Sequence, residues 1–163
     1  FTYSLHDALP ILLRDDIETI HAATDLLAEA KLSPELRNEA LYYRAKAYTK
    51  QKADKKAMED YRELAKDTRN SYGAEAKYQV AQSLYDAKEY AAAEKELLNY
   101  IEQSTPHAYW LARSFILLSD VYHATGKDLD ARQYLLSLQQ NYQGNDDIES
   151  MIESRLSKLK VEN

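Results

Sequence analysis

The chain of 163 residues contains no cysteine and only three glycines and three prolines. Without cysteine there is no disulfide, no thiolate nucleophile and no cysteine-ligated zinc, and both reducing and oxidising compartments stay open. Few glycines and prolines leave few tight turns, so long helices joined by short loops are favoured over a many-turned β fold. Three scattered glycines cannot cradle a phosphate, and no hydrolase, metalloprotease or P-loop motif is present. We therefore expect a protein that is not an enzyme and has no cofactor.

Charge and hydrophobic run length limit the classes of partner. The formal net charge is -6, and no cluster of lysines and arginines stands out. A nucleic-acid partner requires a basic face that neutralises phosphates. No apolar run approaches the roughly 20 residues that a membrane-spanning helix needs. We expect neither nucleic-acid binding nor direct membrane insertion of this segment.

The chain does contain a repeated pattern of two amphipathic helices. Apolar residues recur at helical spacing on both sides of the polar segment "TKQKAD", which predicts two helices packed as a hairpin. The pattern returns on either side of "DAKEY" and of "HATGKD". The alanines that follow the three breaks are 36 and then 38 residues apart: Ala57, Ala93 and Ala131. A self-similar period in this range is typical of a helical solenoid, in which neighbouring hairpins stack because none buries its apolar face alone.

The repeat resembles the tetratricopeptide repeat. The resemblance is carried by a large apolar residue, a small residue and Tyr, followed nine residues later by Ala and four residues after that by an aromatic or Leu. The match is best at Ala45, Tyr48, Ala57 and Tyr61, and at Tyr122, Gly126, Ala131 and Leu135. The chain departs from the family pattern at Arg44 and Lys77, where apolar residues are expected, and its period exceeds the usual length of about 34 residues.

This resemblance implies an all-α fold, a right-handed superhelical solenoid of antiparallel helix hairpins with a C-terminal capping helix. The longer period, with "NY" or "TP" near the repeat ends, is similar to bacterial cell-envelope members of the family, such as the TolA-binding and outer-membrane-assembly lipoprotein types. That likeness implies a location in the periplasm or at the outer membrane, with the cytoplasm as the alternative.

The spacing of the pattern predicts the organisation of the chain. Residues 12–32 are expected to hold the second helix of a truncated upstream repeat, with the apolar face Ile17, Ile20, Ala23, Leu27 and Ala30. Ser33 is expected to cap the next helix. Three repeats are expected over residues 33–69, 70–105 and 106–142. Residues 143–163 are expected to form the capping helix, with Asn145 as its N-cap, and a partner-binding amphipathic helix is the alternative for this segment.

The first eleven residues do not follow the repeat. Pro10 interrupts any helix there, and Asp7 and the short apolar stretch exclude a signal peptide. When "SLHDALPI", residues 4–11, is translated back into codons, it resembles a common short-read sequencing adapter. We therefore expect residues 1–11 to be non-native and more repeats to precede them in the natural protein.

Two carboxylate–histidine pairs raise the question of a metal site. Glu18 precedes His21 and Asp120 precedes His123 by three residues, a spacing that di-iron helical bundles use. A solenoid keeps these helices apart, so the favoured interpretation is solvated helix-face residues and no metal.

The family resemblance also implies a binding surface. In tetratricopeptide arrays, the first helix of each hairpin lines a concave groove that binds a peptide or a partner protein. In this sequence the corresponding positions are Tyr42, Lys46, Thr49, Tyr78, Gln82, Tyr85, Arg113, Ile116, Asp120 and His123. The alternative for each tyrosine is packing against the adjacent repeat. Tyr42 and Lys46 stand where carboxylate-clamping repeats have Lys and Asn, which argues against binding of chaperone tails.

Two functions remain open at this point. One is an adaptor that binds a peptide or protein in the groove. The other is a structural subunit of a cell-envelope assembly that uses its convex face or the ends of the array. Sequence does not distinguish between them, nor does it give the oligomeric state.

Overall fold

The computed structural model describes residues 15–103 and 105–159, which form eight α-helices and no strand. The predicted all-α class is confirmed. The adapter-like segment at residues 4–11 lies outside the described residues. The helices are α1 (Asp16–Leu27), α2 (Pro34–Lys50), α3 (Asp54–Leu64), α4 (Ser71–Asp86), α5 (Tyr90–Glu102), α6 (Ala108–Ala124), α7 (Asp128–Asn141) and α8 (Ile148–Lys158).

The chain divides into two compact units inside α4, one ending at Ala76 and the other beginning at Lys77. In the first unit, Ala23, Leu26 and Ala40 form a buried cluster between α1 and α2. In the second unit, a larger apolar core runs through α4 to α8 and ends at Leu159. Burial of this apolar surface is the main stabilising contribution in each unit.

The sequence pattern predicts three hairpins, and their turns share one backbone conformation. We refer to α2–α3, α4–α5 and α6–α7 as the first, second and third hairpins. Each turn has one residue with positive φ: Lys52 at 56°, Lys88 at 61° and Gly126 at 79°. The next residue donates its N–H to the carbonyl five residues earlier, at 2.9, 2.9 and 2.8 Å in chain order. This is a left-handed helix C-cap that satisfies carbonyls at the helix end. The turns recur at the same intervals as the alanines, so the repeat seen in the sequence is also a repeat of local structure.

Small residues lie at the predicted contacts between the helices of each hairpin. They are almost fully buried, which allows the helix backbones to approach closely; the set is Ala45, Ala57, Ala81, Ala93, Ser119 and Ala131. Ser119 satisfies its hydroxyl by donating to the carbonyl of Ile116 at 2.7 Å. A hydroxyl buried without such a partner would be destabilising.

The two departures from the apolar pattern are both explained by ion pairs within a hairpin. The Arg44 guanidinium donates to the two carboxylate oxygens of Asp60 at 2.8 and 2.7 Å, and Asp60 is only 5% exposed. Lys77 Nζ lies 2.8 Å from Glu96 Oε2. Each cation on the first helix thus meets a carboxylate on the second, which compensates its loss of hydration.

The helix ends agree in part with the predictions. Ser33 Oγ accepts a hydrogen bond from the Leu36 N–H at 3.3 Å, so the predicted cap is confirmed. The expected cap by Asn145 is wrong: Asp147 is the N-cap residue of α8, and the Ile148 N–H donates to Asp146 Oδ1 at 3.0 Å. The predicted apolar face of α1 is also displaced: Thr19, Ala23 and Leu26 are its buried residues.

Candidate functional site

In the first unit, the predicted groove residue Tyr42 is held by its neighbours. Its hydroxyl donates to Glu75 Oε2 at 2.7 Å, and its ring centroid lies 4.8 Å from that of Tyr72. Lys46 Nζ donates to the Tyr42 hydroxyl at 3.3 Å and lies 5.1 Å from the ring centroid, a cation–π distance. Burial, and then the hydrogen bond to the Glu75 carboxylate, raise the pKa of Tyr42. Tyr42 therefore stays neutral and ties α2 to the start of α4.

Thr49, the third groove residue predicted in the first unit, donates its hydroxyl to the carbonyl of Ala45 at 2.9 Å. This bond is internal to α2, and a threonine in a helix commonly makes it. The Thr49 side chain is exposed at the end of the helix.

In the second unit, Arg113 is surrounded by aromatic rings. Its guanidinium carbon lies 4.8 Å from the ring centroid of Tyr78, 5.8 Å from that of Tyr109 and 5.9 Å from that of Trp110. Nη1 donates to the Tyr109 hydroxyl and Nη2 to the Tyr78 hydroxyl, each at 2.9 Å. Nε is buried and has no hydrogen-bond partner among the residues that the structure describes. The arginine is thus fixed in place by rings and hydroxyls.

The two tyrosines pass these hydrogen bonds on to carboxylates. The Tyr109 hydroxyl donates to Asp147 Oδ1 at 3.1 Å. On the other side, the Tyr78 hydroxyl donates to Gln82 Oε1 at 2.9 Å, and Gln82 Nε2 donates to Asp86 Oδ1 at 2.9 Å. Each of these hydrogen bonds is donated in the direction that leads away from Arg113 and toward a carboxylate, and Arg113 Nε takes no part in the network. Such a network restricts the rotamers of the side chains within it.

An open cleft of about 450 Å³ lies beside this network in the second unit. We refer to it as the C-terminal cleft. Its walls come from α4, α6 and α8 and from the residue after α8, and its lining consists of Gln82, Tyr85, Ser119, Asp120, His123, Arg155, Lys158 and Leu159. Four predicted groove residues are brought together here: Gln82, Tyr85, Asp120 and His123.

An ion pair forms one wall of the C-terminal cleft. Arg155 Nε lies 3.1 and 3.3 Å from the two oxygens of Asp120, and Nη2 lies 3.1 Å from Asp120 Oδ2. Both side chains are partly exposed, so the contribution of this pair to stability is modest. Its geometric effect is to hold the second half of α8 against α6. Helix α8 therefore supplies part of the cleft.

His123 does not pair with the carboxylate three residues before it. Its Nδ1 lies 2.8 Å from Asp128 Oδ1 at the start of α7, while Asp120 is engaged by Arg155. Across residues 15–103 and 105–159, no three side chains of the metal-ligating types converge.

Two predicted groove residues are buried. Tyr78 is 6% exposed because it packs against Trp110 and Arg113, and Ile116 is 1% exposed because it belongs to the apolar core. We therefore correct their assignment as direct contacts of a partner. Tyr78 acts within the hydrogen-bonded network, and Ile116 acts in packing.

Sequence reasoning missed Arg155, Lys158 and Leu159 as cleft residues. It placed them on a helix whose favoured role was to cover the last repeat, with a partner-binding amphipathic helix as the alternative. The available signal was the spacing of Arg155 and Lys158, which are three residues apart and therefore share one face of a helix. Asp120, in the first helix of the third hairpin, was an available acidic partner for such a face.

No helix in the described part of the chain has the length and apolar character required to cross a membrane. No protein-family model matches the chain, and no curated protein or solved structure is significantly similar to it.

Proposed function

We propose that this chain is a tetratricopeptide-like repeat protein that acts without catalysis and binds a peptide or a partner protein along the first helices of its hairpins. Under this proposal the chain is part of a larger bacterial protein. The observation that carries the proposal is the C-terminal cleft, because it combines an aromatic ring, polar side chains and an opening to solvent. Tyr85 supplies a large contact area at a low cost in conformational entropy, as tyrosines do in many binding surfaces.

The hairpin turns support the repeat assignment. Their positive-φ residues and their hydrogen bonds recur at the same intervals as the buried alanines. Repeat arrays present a series of equivalent helix faces, and such series serve as extended binding surfaces.

The proposal is tested by selection of binders from a displayed library of random peptides against the full chain. We expect selected peptides to bind the unmodified protein and to lose at least about tenfold in affinity for Tyr85→Ala/His123→Ala, since both side chains line the cleft. Isothermal titration calorimetry measures the affinities. Far-ultraviolet circular dichroism verifies that the variant keeps its helices.

The matched control is Leu129→Ala, which removes a side chain that is 65% exposed at the start of α7 and outside the cleft. Unchanged affinity of this control supports use of the cleft. If Leu129→Ala abolished binding and the cleft variant kept it, the binding surface would lie outside the cleft.

That reverse outcome favours the second candidate, a structural subunit of a cell-envelope assembly. The observation that supports this candidate is the exposure of Leu129 and of Ile17, which is 59% exposed on α1. Exposed large apolar side chains are found at protein–protein contacts, although single ones are also common on ordinary surfaces.

A further inference from the structure

We propose that the C-terminal cleft binds an acidic side chain of an extended peptide segment, and that Lys158 of the capping helix is the cation that receives it. This inference rests on the proposed function, since it names the chemistry of the ligand at that site. It assigns α8 a role in recognition as well as in covering the last repeat.

The hydrogen-bonding groups of the cleft leave donors available. Both oxygens of Asp120 accept from Arg155, and Gln82 Oε1 accepts from Tyr78. By contrast, Lys158 Nζ and the Tyr85 hydroxyl make no hydrogen bond to another described residue. A ligand group that accepts hydrogen bonds fits these donors.

The pairing of the charges indicates that this group is a carboxylate, because Arg155 is paired with Asp120 whereas Lys158 has no carboxylate partner among the described residues. Arg155 and Lys158 are positive and Asp120 is negative, which leaves one net positive charge when His123 is neutral. Asp86 and Asp128 border the lining, and each already accepts from a cleft side chain. With these two carboxylates counted, the cleft and its border carry no net positive charge, but Lys158 forms no ion pair with a described carboxylate. Complementary charge favours an acidic ligand and disfavours a basic one.

The apolar parts of the cleft fit the rest of the segment. The ring of Tyr85 is partly exposed beside Tyr90, with ring centroids 5.5 Å apart, and Leu159 in the lining is only 4% exposed. A carboxylate on a short aliphatic stem would contact the ring of Tyr85 with its methylene groups and Lys158 with its oxygens. Glutamate and aspartate side chains within a chain have this form.

The experiment uses the peptides selected against the full chain. We expect one position of the aligned peptides to be enriched in Asp or Glu, and replacement of that residue by Gln or Asn to weaken binding at least about tenfold. Lys158→Glu is expected to lower the affinity for the acidic peptide by a similar factor and to raise the affinity for a peptide with Lys at that position. Lys158 is exposed, so its substitution leaves the core intact.

The matched control is Lys95→Glu, which makes the same charge change on an exposed position of α5 outside the cleft lining. Its affinity for the acidic peptide is expected to stay within about twofold of the parent, because Lys95 does not line the cleft and salt weakens interactions between exposed charges. Equal weakening by both lysine variants would overturn the inference, since it would indicate a general effect of net charge.

The remaining outcomes separate this inference from the proposed function. If selected peptides show no acidic position but still lose affinity for Tyr85→Ala/His123→Ala, the acidic-ligand inference is refuted and cleft binding stands. If no selected peptide depends on the cleft at all, both are refuted.

Discussion

The first and third hairpins share one turn but differ in the contacts between their helices. Asp60 in α3 and Tyr134 in α7 occupy the same repeat position, three residues after the buried alanine. In the first hairpin this position holds an ion pair with Arg44. In the third it holds an aromatic cluster, with the Tyr134 ring centroid 5.8 Å from Phe115 and 5.5 Å from Tyr122.

The second hairpin is intermediate between these two. Its residue at this position, Glu96, pairs with Lys77, and Lys77 occupies the repeat position of Phe115. The hairpin geometry therefore depends on the turn and the small residues. The contact made three residues after the buried alanine differs between hairpins and consists either of paired charges or of aromatic rings. Paired charges cost desolvation energy, while rings contribute buried apolar area. The following substitutions test this comparison.

The largest effect is expected for Asp60→Ala. It leaves the Arg44 guanidinium partly buried without its carboxylate, and we expect the free energy of unfolding to fall by about 3 kcal/mol. Urea titration followed by circular dichroism measures the change. The matched substitution Asp25→Ala, at an exposed acidic residue of α1, is expected to change stability by less than about 0.5 kcal/mol. An equal, small effect of both substitutions would contradict the structural importance of the buried pair.

A smaller effect is expected at the buried alanine that all three hairpins share. Ala93 is fully buried between helices, so Ala93→Leu should force α5 away from its neighbours and cost about 2 kcal/mol. Thermal or urea unfolding provides the measurement, and Ala91→Leu, on the exposed side of α5, is the control. If Ala93→Leu left stability unchanged, close helix approach would not be a requirement of the repeat.

The turns are expected to respond in opposite directions to substitution. Gly126→Ala places a Cβ at φ 79° and should lower the free energy of unfolding by about 1 kcal/mol, although no atom lies within 4 Å of that Cβ. Lys88→Gly relieves the same conformation and should raise it by about 0.5 kcal/mol. Unfolding midpoints of the two variants measure both changes. A loss of stability in Lys88→Gly would show that the three turns are not energetically equivalent.

The smallest effect is expected when the ion pair of the first hairpin is replaced by the residues that occupy the same positions in the third hairpin. Arg44→Leu/Asp60→Tyr introduces the residues found at the equivalent positions of α6 and α7. Because apolar replacement of both partners removes the desolvation cost, we expect stability within about 1 kcal/mol of the parent. The same urea titration provides the measurement. A loss as large as that of Asp60→Ala would show that the ion pair has a role that packing cannot replace.

Much of the fold follows from patterns along the chain. Helical periodicity on both sides of three polar breaks was enough to predict the hairpins, because an amphipathic face and a short break are local properties. The cap at Ser33 also follows from a local signal, Ser before Pro34. The cap at Asn145 was mispredicted because two further acidic residues follow it and compete for the same role.

The site was predictable only in part. Gln82, Tyr85, Asp120 and His123 were identified by repeat position, which specifies the helix face. Tyr78 is on the same face but is buried, because Trp110 and Arg113 of α6 pack against it. Residue type and spacing do not reveal how much of a side chain a neighbouring helix will cover.

Local sequence was therefore sufficient for the helices, for the turns between them and for the alanines at their contacts, because propensity and periodicity act over a few residues. Tertiary structure decided which charges pair, which tyrosines stay accessible and which helix completes the cleft. Arg155 and Asp120 are 35 residues apart and meet only because α8 packs against α6. A long-range contact of this kind depends on how helices stack, which short-range patterns do not specify.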